Sequence, residues 1–136
     1  MTDARDAVRA ANARFYAAFE SLDLAAMDPV WAHGEHVACI HPGWPRLSGW
    51  KAVRESWDAI FQSAVEMRFT ITDVQVEVRE GLAWVVCTEN ILSEARGGLA
   101  VTAILATNVF ERRGEEWLLI HHHASHVLGP APGEAA

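Results

Sequence analysis

The sequence lacks any apolar run long enough to cross a membrane. No stretch approaches the roughly 20 consecutive apolar residues that a membrane helix needs, although 51% of the chain is hydrophobic. A secretory start is also missing, because the acidic residues within Met1–Asp6 are not followed by an apolar segment. We therefore expect a cytoplasmic protein that has no membrane partner.

Cysteine and clustered positive charge are scarce as well. The two cysteines, Cys39 and Cys87, lie among apolar residues of predicted strands, which is typical of buried thiols in a reducing compartment. Asp and Glu number 18 against 11 Lys and Arg, and the largest basic cluster is Arg112-Arg113. Since nucleic-acid binding needs clustered positive charge, no nucleic-acid partner is expected. The glycines form neither GxGxxG nor a P-loop, and we expect no cofactor.

The first half of the chain has the apolar spacing of helices. Residues 2–22 repeat apolar side chains at intervals of three and four, which predicts an amphipathic first helix. A short second helix is predicted at residues 24–31, with Asp23 as its N-cap. A third helix is expected to begin after Ser48, which we assign as its N-cap. The broad apolar face of this third helix contains Trp50, Val53, Trp57, Ile60, Phe61 and Ala64.

From Glu66 onward the apolar period changes to two, which predicts four strands in an antiparallel meander. The apolar phase changes near Thr72-Asp73, and a β-bulge there would curl the sheet into a cup. The later strands are apolar in both phases while the helices suffice for one face, so we predict a homodimer through the sheet's outer face. We place one domain at 1–128 and a loose tail at 129–136. The predicted turns are Glu80-Gly81, Gly97-Gly98 and Arg113-Gly114-Glu115.

Four of the seven histidines fall in the last predicted strand. Alternation assigns one face to Trp117, Leu119, His121, His123 and Ser125, and the opposite, helix-covered face to Leu118, Ile120, His122, Ala124 and His126. A metal site at His121 and His123 would need a third ligand from His33, His36 or His41, and no local spacing supplies it. We expect no metal, and structural histidines on that face instead.

Three polar residues share the predicted covered phase of neighbouring strands. Glu89, Asn108 and His122 can meet there as a carboxylate, an amide and an imidazole suited to proton transfer and orientation. The alternatives are a hydrogen-bonded core histidine at His122 and a solvent-exposed Glu89. His41 follows the strand predicted at Val37–Ile40 and is fixed by Pro42, which favours either a positioned acid or base or a turn-capping histidine.

The tryptophans divide into two groups. Trp50, Trp57 and Trp117 are spaced as core residues, whereas Trp31 and Trp44 flank loops and are predicted to form a pocket rim. The residues that we predict to contact a substrate are Trp31, Trp44, Trp57, Phe61 and Asn108.

Three segments resemble the SnoaL-like family of the nuclear transport factor 2-like (ketosteroid isomerase-like) superfamily. The resemblance spans about Asp3 to Val127. Its segments are Trp31-x-His33 leading into Cys39–Trp44, then Gly49–Phe61, and finally Thr107–Phe110 followed by Trp117 and His121–Ser125.

The resemblance implies an α+β fold of the cystatin-like cone type. Three N-terminal helices would pack on a strongly bent antiparallel or mixed sheet, enclose a pocket and leave the outer face for dimerisation. Members of the family include isomerases, dehydratases, hydrolases, polyketide cyclases and non-catalytic binding domains, so the fold does not fix the reaction.

Three groups within this superfamily differ from this chain at residues that would line the pocket. In association domains of calcium/calmodulin-dependent kinases, pocket arginines would fall on Glu89, Asn108 and Ala124, so this chain lacks their cationic lining. Metal-free iota-class carbonic anhydrases have a His and a Ser that would map to His122 and Ala124, and the hydroxyl is absent here. Ketosteroid isomerases carry a carboxylate base near the position of His41, where this chain has an imidazole.

The sequence therefore predicts a small-molecule-binding protein with an apolar pocket for a neutral or weakly basic organic ligand. As an enzyme it would be a cofactor-free isomerase, dehydratase (a lyase) or hydrolase. His41 and His122 would carry protons, Glu89 would be the base or orienting carboxylate, and Asn108 a hydrogen-bond donor. The alternatives are a non-catalytic ligand-binding or oligomerisation module of the kinase association-domain type, and an iota-class carbonic anhydrase-like activity.

Overall fold

The computed structural model describes residues 3–95 and 98–129. The tail predicted at 129–136 lies outside the described residues beyond Gly129, as does Gly97 of the predicted Gly97-Gly98 turn. The helices are α1 (Ala4–Ser21), α2 (Leu24–Met27), a 3-10 turn (Asp28–Val30) and α3 (Trp50–Ser63). The strands are β1 (Ala38–Ile40), β2 (Leu47–Ser48), β3 (Met67–Arg79), β4 (Leu82–Ala95), β5 (Gly98–Arg113) and β6 (Glu116–His126).

Two helix boundaries differ from the prediction. Helix α2 ends at Met27 instead of Trp31, because Pro29 has no N–H to donate and the chain tightens into the 3-10 turn. Ser48 is not the N-cap of α3, since it pairs with Ala38 as part of β2. The N-cap is Gly49, whose φ of 86° lies in a region that favours glycine.

The six strands form one mixed sheet in the order β2-β1-β6-β5-β4-β3. The predicted meander is confirmed for β3 to β6, whose neighbours all pair antiparallel. Strand β1 joins the far side of β6 in parallel. Helix α1 packs on β3, β4 and β6, and α3 packs on β1 and β2. The expected α+β cone, with three helices on a bent mixed sheet, is therefore confirmed.

Two bulges change which side chains face the helices. The predicted bulge near Thr72-Asp73 is confirmed by a register shift between Thr72 and Gln75, and Asp73 has a φ of 53°. The second bulge, which the sequence analysis missed, lies at Ile120, because Val109 pairs with His121 whereas Phe110 pairs with Leu119.

The bulge at Ile120 corrects the assignment of faces in β6. Trp117 and Leu119 before it and His122 and Ala124 after it are all buried, although strict alternation would separate the two pairs. The extra residue shifts the phase, so all four side chains face the helices. The prediction that Trp117 and Leu119 share a face with His121 was wrong for this reason.

The central rows of the sheet's outer face carry no Asp, Glu, Lys or Arg among the described residues. The outward positions of β4, β5 and β6 in these rows are Trp84, Val86, Thr88, Asn90, Leu92, Val101, Ala103, Leu105, Thr107, Val109, His121, His123 and Ser125. Leu105 is 49% exposed and Val101 80%. Over residues 3–95 and 98–129, no helix combines the length and apolar character that crossing a bilayer requires.

The left-handed backbone of Asp73 generates a stability prediction. Asp73→Val should lower the free energy of unfolding by about 1–2 kcal/mol, because a β-branched residue is strained at positive φ, whereas Asp73→Gly should cost nothing. Urea unfolding would measure both. The matched control is Gln75→Val, an exposed position that pairs with Val86. Equal stability of Asp73→Val and Gln75→Val would contradict a constraint at this bulge.

Candidate functional site

The inner face of the sheet carries three rows of paired residues across β4, β5 and β6. The first row is Val85, Asn108 and His122; the second is Cys87, Ala106 and Ala124; the third is Glu89, Ile104 and His126. The small side chains of the middle row separate the polar groups of the outer two rows.

A cavity of about 280 Å³ is lined by all three residues of the third row and by His122 of the first row. Its polar lining consists of His41, Glu89, Ser93, Thr102, His122 and His126, and the remainder is mainly apolar. Trp44 lies at its edge and is 41% exposed. The cavity therefore combines an apolar wall with one carboxyl group and several imidazoles.

A chain of buried hydrogen bonds, which we call the polar chain, joins His122 to Glu89 through Asn108 and Tyr16. His122 Nδ1 lies 2.6 Å from Asn108 Oδ1, and Asn108 Nδ2 donates to Tyr16 Oη at 3.1 Å. Tyr16 Oη donates to Glu89 Oε2 at 2.6 Å. Asn108 Nδ2 also donates to Asn12 Oδ1 at 2.9 Å. Each link fixes the donor and acceptor roles of the next.

The polar chain sets the proton position on His122. Since Asn108 uses its amide nitrogen for Asn12 and Tyr16, its oxygen faces His122 and can only accept. His122 therefore donates from Nδ1–H, and Nε2 carries the lone pair. Burial lowers the pKa of His122 to about 3, with smaller contributions from His41, His121 and His123, so the ring is neutral near pH 7.

Glu89 is the acidic group of the cavity. Its side chain is 2% exposed, and burial raises its pKa to about 7, while the hydrogen bond from Tyr16 lowers it in part. Among the described residues, no Lys or Arg lines the cavity. Because Oε2 accepts from Tyr16, the acidic proton belongs on Oε1, which has no partner in the described part of the chain. Glu89 can thus give or take a proton near neutral pH.

His41 lies directly after β1, against α3. Its Nε2 is 2.8 Å from Ser56 Oγ, and Ser56 Oγ donates to Val53 O at 2.6 Å. Ser56 therefore accepts from His41 Nε2–H. The ring packs between Trp44 and Trp57, with centroids 4.8 Å and 4.7 Å away, and burial lowers its pKa to about 4.

The other predicted site residues are buried at different positions relative to the cavity. Asn108 is fully buried behind His122 and orients it. Trp57 and Phe61 pack together behind the cavity at a centroid distance of 5.8 Å. Trp31 is buried away from it, packs on Trp50 at 6.1 Å and forms a β-bridge with Leu119. Trp31 therefore does not lie at the cavity rim.

Sequence reasoning missed Asn12, Tyr16 and Ser56. Asn12 and Tyr16 are four residues apart on α1, beside its apolar stripe, so they face the sheet together. The helical spacing of these two residues could have identified them, because polar side chains beside a buried apolar stripe need hydrogen-bond partners in the protein interior. Ser56 lies one residue before Trp57 on the buried face of α3.

The histidines considered for a metal site lie apart. His121 and His123 are on the outer face with ring centroids 6.3 Å apart, His33 stacks on Trp50, and His36 pairs with Glu111. In residues 3–95 and 98–129, no three His, Cys, Asp or Glu side chains are grouped so as to hold a metal ion.

The chain is similar to known proteins over most of its length. A model described as a SnoaL-like domain matches residues 8–129. Among curated proteins, the chain is 30% identical over 122 residues to F-box protein SKIP8 of Arabidopsis thaliana, covering 90% of this chain and 50% of that protein. The chain thus spans half the length of this curated relative.

Two solved structures are similar in both sequence and shape. One is a candidate dehydratase of the NTF2-like family from Streptomyces avermitilis, 38% identical with a TM-score of 0.86, covering 91% of this chain and 96% of that chain. Another is a candidate calcium/calmodulin-dependent protein kinase type II association domain from Thiobacillus denitrificans, 36% identical with a TM-score of 0.79, covering 88% and 94%. More distant structures described as having a cystatin-like fold share the fold alone.

The raised pKa of Glu89 generates a prediction about stability and pH. A carboxyl whose pKa rises from 4.5 to about 7 on folding contributes stability that is present below pH 4.5 and is lost as the pH rises through 7. Glu89→Gln stays neutral, so its stability relative to wild type should increase by about 3 kcal/mol between pH 4.5 and pH 8. Denaturant unfolding at several pH values would measure the difference.

The control for this experiment is Glu94→Gln, an exposed glutamate of the same strand. The difference between Glu94→Gln and wild type is the reference against which the change for Glu89→Gln is measured. The histidine contributions are common to wild type and both variants, so they cancel in each comparison. A constant difference for Glu89→Gln would contradict the raised pKa.

Proposed function

Because the chain belongs to the SnoaL-like domain family, we propose that its cavity binds a small organic molecule and that Glu89 transfers a proton on that molecule. The observation that carries this proposal is the buried carboxyl group at the cavity wall, whose pKa of about 7 suits both acid and base roles. The 38% identity to a candidate dehydratase supports the same class of chemistry.

The proposed step is proton removal from a carbon next to a carbonyl group. Glu89 Oε1 takes the proton, and Tyr16 Oη–H holds Oε2 in place throughout. Returning the proton to a different carbon gives isomerisation; passing it instead to a hydroxyl group on the next carbon, whose C–O bond breaks as the C=C bond forms, releases water and gives dehydration. Both outcomes need a single carboxyl group and no cofactor.

His41 and His122 receive hydrogen-bonding roles in this proposal. Both pKa values lie well below 7, so each ring stays neutral and is a weak base beside Glu89. We therefore assign proton transfer to Glu89 and ligand orientation to the two imidazoles. Trp44 contributes an apolar edge where the cavity meets solvent.

The size and polarity of the cavity define the ligand class. A volume of about 280 Å³ admits a compact molecule, and the lining offers apolar contacts with few polar groups. An anion would lie beside Glu89 with no cationic side chain from the described lining to balance it. The proposed ligand is therefore a neutral or weakly basic organic molecule.

A second candidate function is a non-catalytic binding or oligomerisation module. The 36% identity to a candidate kinase association domain favours it, as does the absence of Asp, Glu, Lys and Arg from the described central rows of the sheet's outer face. On either function we propose a cytoplasmic homodimer through that face, in which Leu105 and Val101 become covered. The buried thiols Cys39 and Cys87 suit a reducing compartment.

Turnover separates the two functions. Wild type should act on one class within a panel of small carbonyl, epoxide and ester compounds, at a rate that rises with pH through about 7 as Glu89 ionises. Glu89→Gln should lower kcat/KM by about 10²- to 10⁴-fold, because the general base is lost. Glu94→Gln is the matched control and should retain wild-type turnover. Binding without Glu89-dependent turnover anywhere in the panel would favour the module.

Sedimentation tests the proposed dimer. Leu105→Lys should convert a dimer to a monomer, because a two-fold interface would bury the new charge twice. Val65→Lys is the control, since Val65 is 75% exposed in the connection between α3 and β3. A monomeric wild type at micromolar concentration would remove the dimer proposal.

A further inference from the structure

His122 holds an unused hydrogen-bond acceptor at the cavity. Its ring is 1% exposed, and its Nδ1–H is committed to Asn108 Oδ1. Within residues 3–95 and 98–129, Nε2 has no hydrogen-bond partner, yet His122 lines the cavity. Nε2 is not among the fully buried polar atoms that lack a partner in the described residues, which are Trp31 Nε1 and Trp57 Nε1, so it faces the cavity and can accept from an occupant there.

The hydrogen bonds of Asn108 keep His122 Nε2 an acceptor. If the Asn108 amide turned over, its oxygen would face Asn12 Oδ1, which is also an acceptor, and its NH₂ would face the Nδ1–H of the ring. Tyr16 also opposes this rotation, because its own proton goes to Glu89, and its oxygen would lose the Asn108 donor and keep only Cys87 Sγ at 3.5 Å. The ring therefore cannot exchange its two nitrogens without breaking several buried hydrogen bonds.

Glu89 adds a second free oxygen to the same cavity. Its Oε1 lacks a partner in the described chain, whereas Oε2 is held by Tyr16. The hydroxyl groups of Ser93 and Thr102 also line the cavity and can donate to a carbonyl oxygen. The wall thus offers a fixed acceptor at one place and adaptable hydroxyl groups at another.

We propose that the substrate is a hydroxy-carbonyl compound whose hydroxyl group donates to His122 Nε2, with Asn108 as the positioning residue that keeps this nitrogen an acceptor. The inference rests on the proposed function, since Glu89 must reach the carbon next to the carbonyl group of the same molecule. Compounds that carry the carbonyl but no donor leave His122 unpaired and bind less well.

Isomeric probes test the donor requirement. Benzyl alcohol and anisole have the same atoms, and the alcohol alone carries a hydrogen-bond donor. Calorimetry or ligand-observed magnetic resonance should find the alcohol bound about tenfold more tightly by wild type. Equal binding of the two probes, or tighter binding of anisole, would overturn the inference.

Two substitutions in β6 test whether His122 causes the preference for benzyl alcohol over anisole. His122→Phe keeps a flat ring and removes the acceptor, so the ratio of the two affinities should fall to about one. His123→Phe makes the same change on the outer face and should keep the wild-type ratio. If His122→Phe kept the wild-type ratio of the two affinities, the inference would also be overturned.

The proton position can be read in the wild-type protein even if His122→Phe does not fold. Nitrogen-15 spectra of histidine-labelled protein should show His122 with its proton on Nδ1 and none on Nε2. A proton on Nε2 would contradict the inference. Absence of Glu89-dependent turnover would remove the proposed function without changing the probe ratio, whereas turnover with a ratio of one would remove only the donor requirement.

Discussion

The hydrogen-bonded link between His122 and Glu89 is the constraint on which the interior of the cone depends. Four side chains from α1, β4, β5 and β6 meet in it, and each is buried. A buried polar group without a partner is destabilising, so these residues tolerate few alternative arrangements. The polar chain therefore fixes both the packing of α1 on the sheet and the chemical state of the two groups at its ends.

The shape of the sheet determines where those ends lie. The bulge at Ile120 shifts the phase of β6 after Leu119. His122 and Ala124 therefore face the helices together with Trp117 and Leu119. Glu89, Ile104 and His126 of the third row then line the cavity together with His122 of the first row. A cavity lined by both Glu89 and His122 thus depends on the extra residue in β6, which turns His122 inward.

Apolar spacing in the sequence predicted the three helices, β1, the four-strand meander, the bulge at Asp73 and the inward placement of Glu89, Asn108 and His122, but it missed β2, where Ser48 was taken as a helix cap. It could not predict the bulge at Ile120, since an apolar residue in an apolar strand leaves no mark in the pattern. It also missed Tyr16 and Asn12, whose partners lie on strands more than 70 residues away along the chain. Periodicity assigns a residue to a face, but pairing across elements decides what that residue meets.

The division of roles inside the cavity follows from burial and charge together. Burial disfavours every charged form, which lowers the pKa of His41 and His122 and raises that of Glu89. The imidazoles are thereby removed from proton transfer near pH 7, while the carboxyl group is brought into it. A cationic side chain at Ala124 would reverse this balance, because it would fill the middle row and hold Glu89 ionised. The same cone can therefore serve an acid–base site or an anion site, and small uncharged residues between the polar rows are what favour the former here.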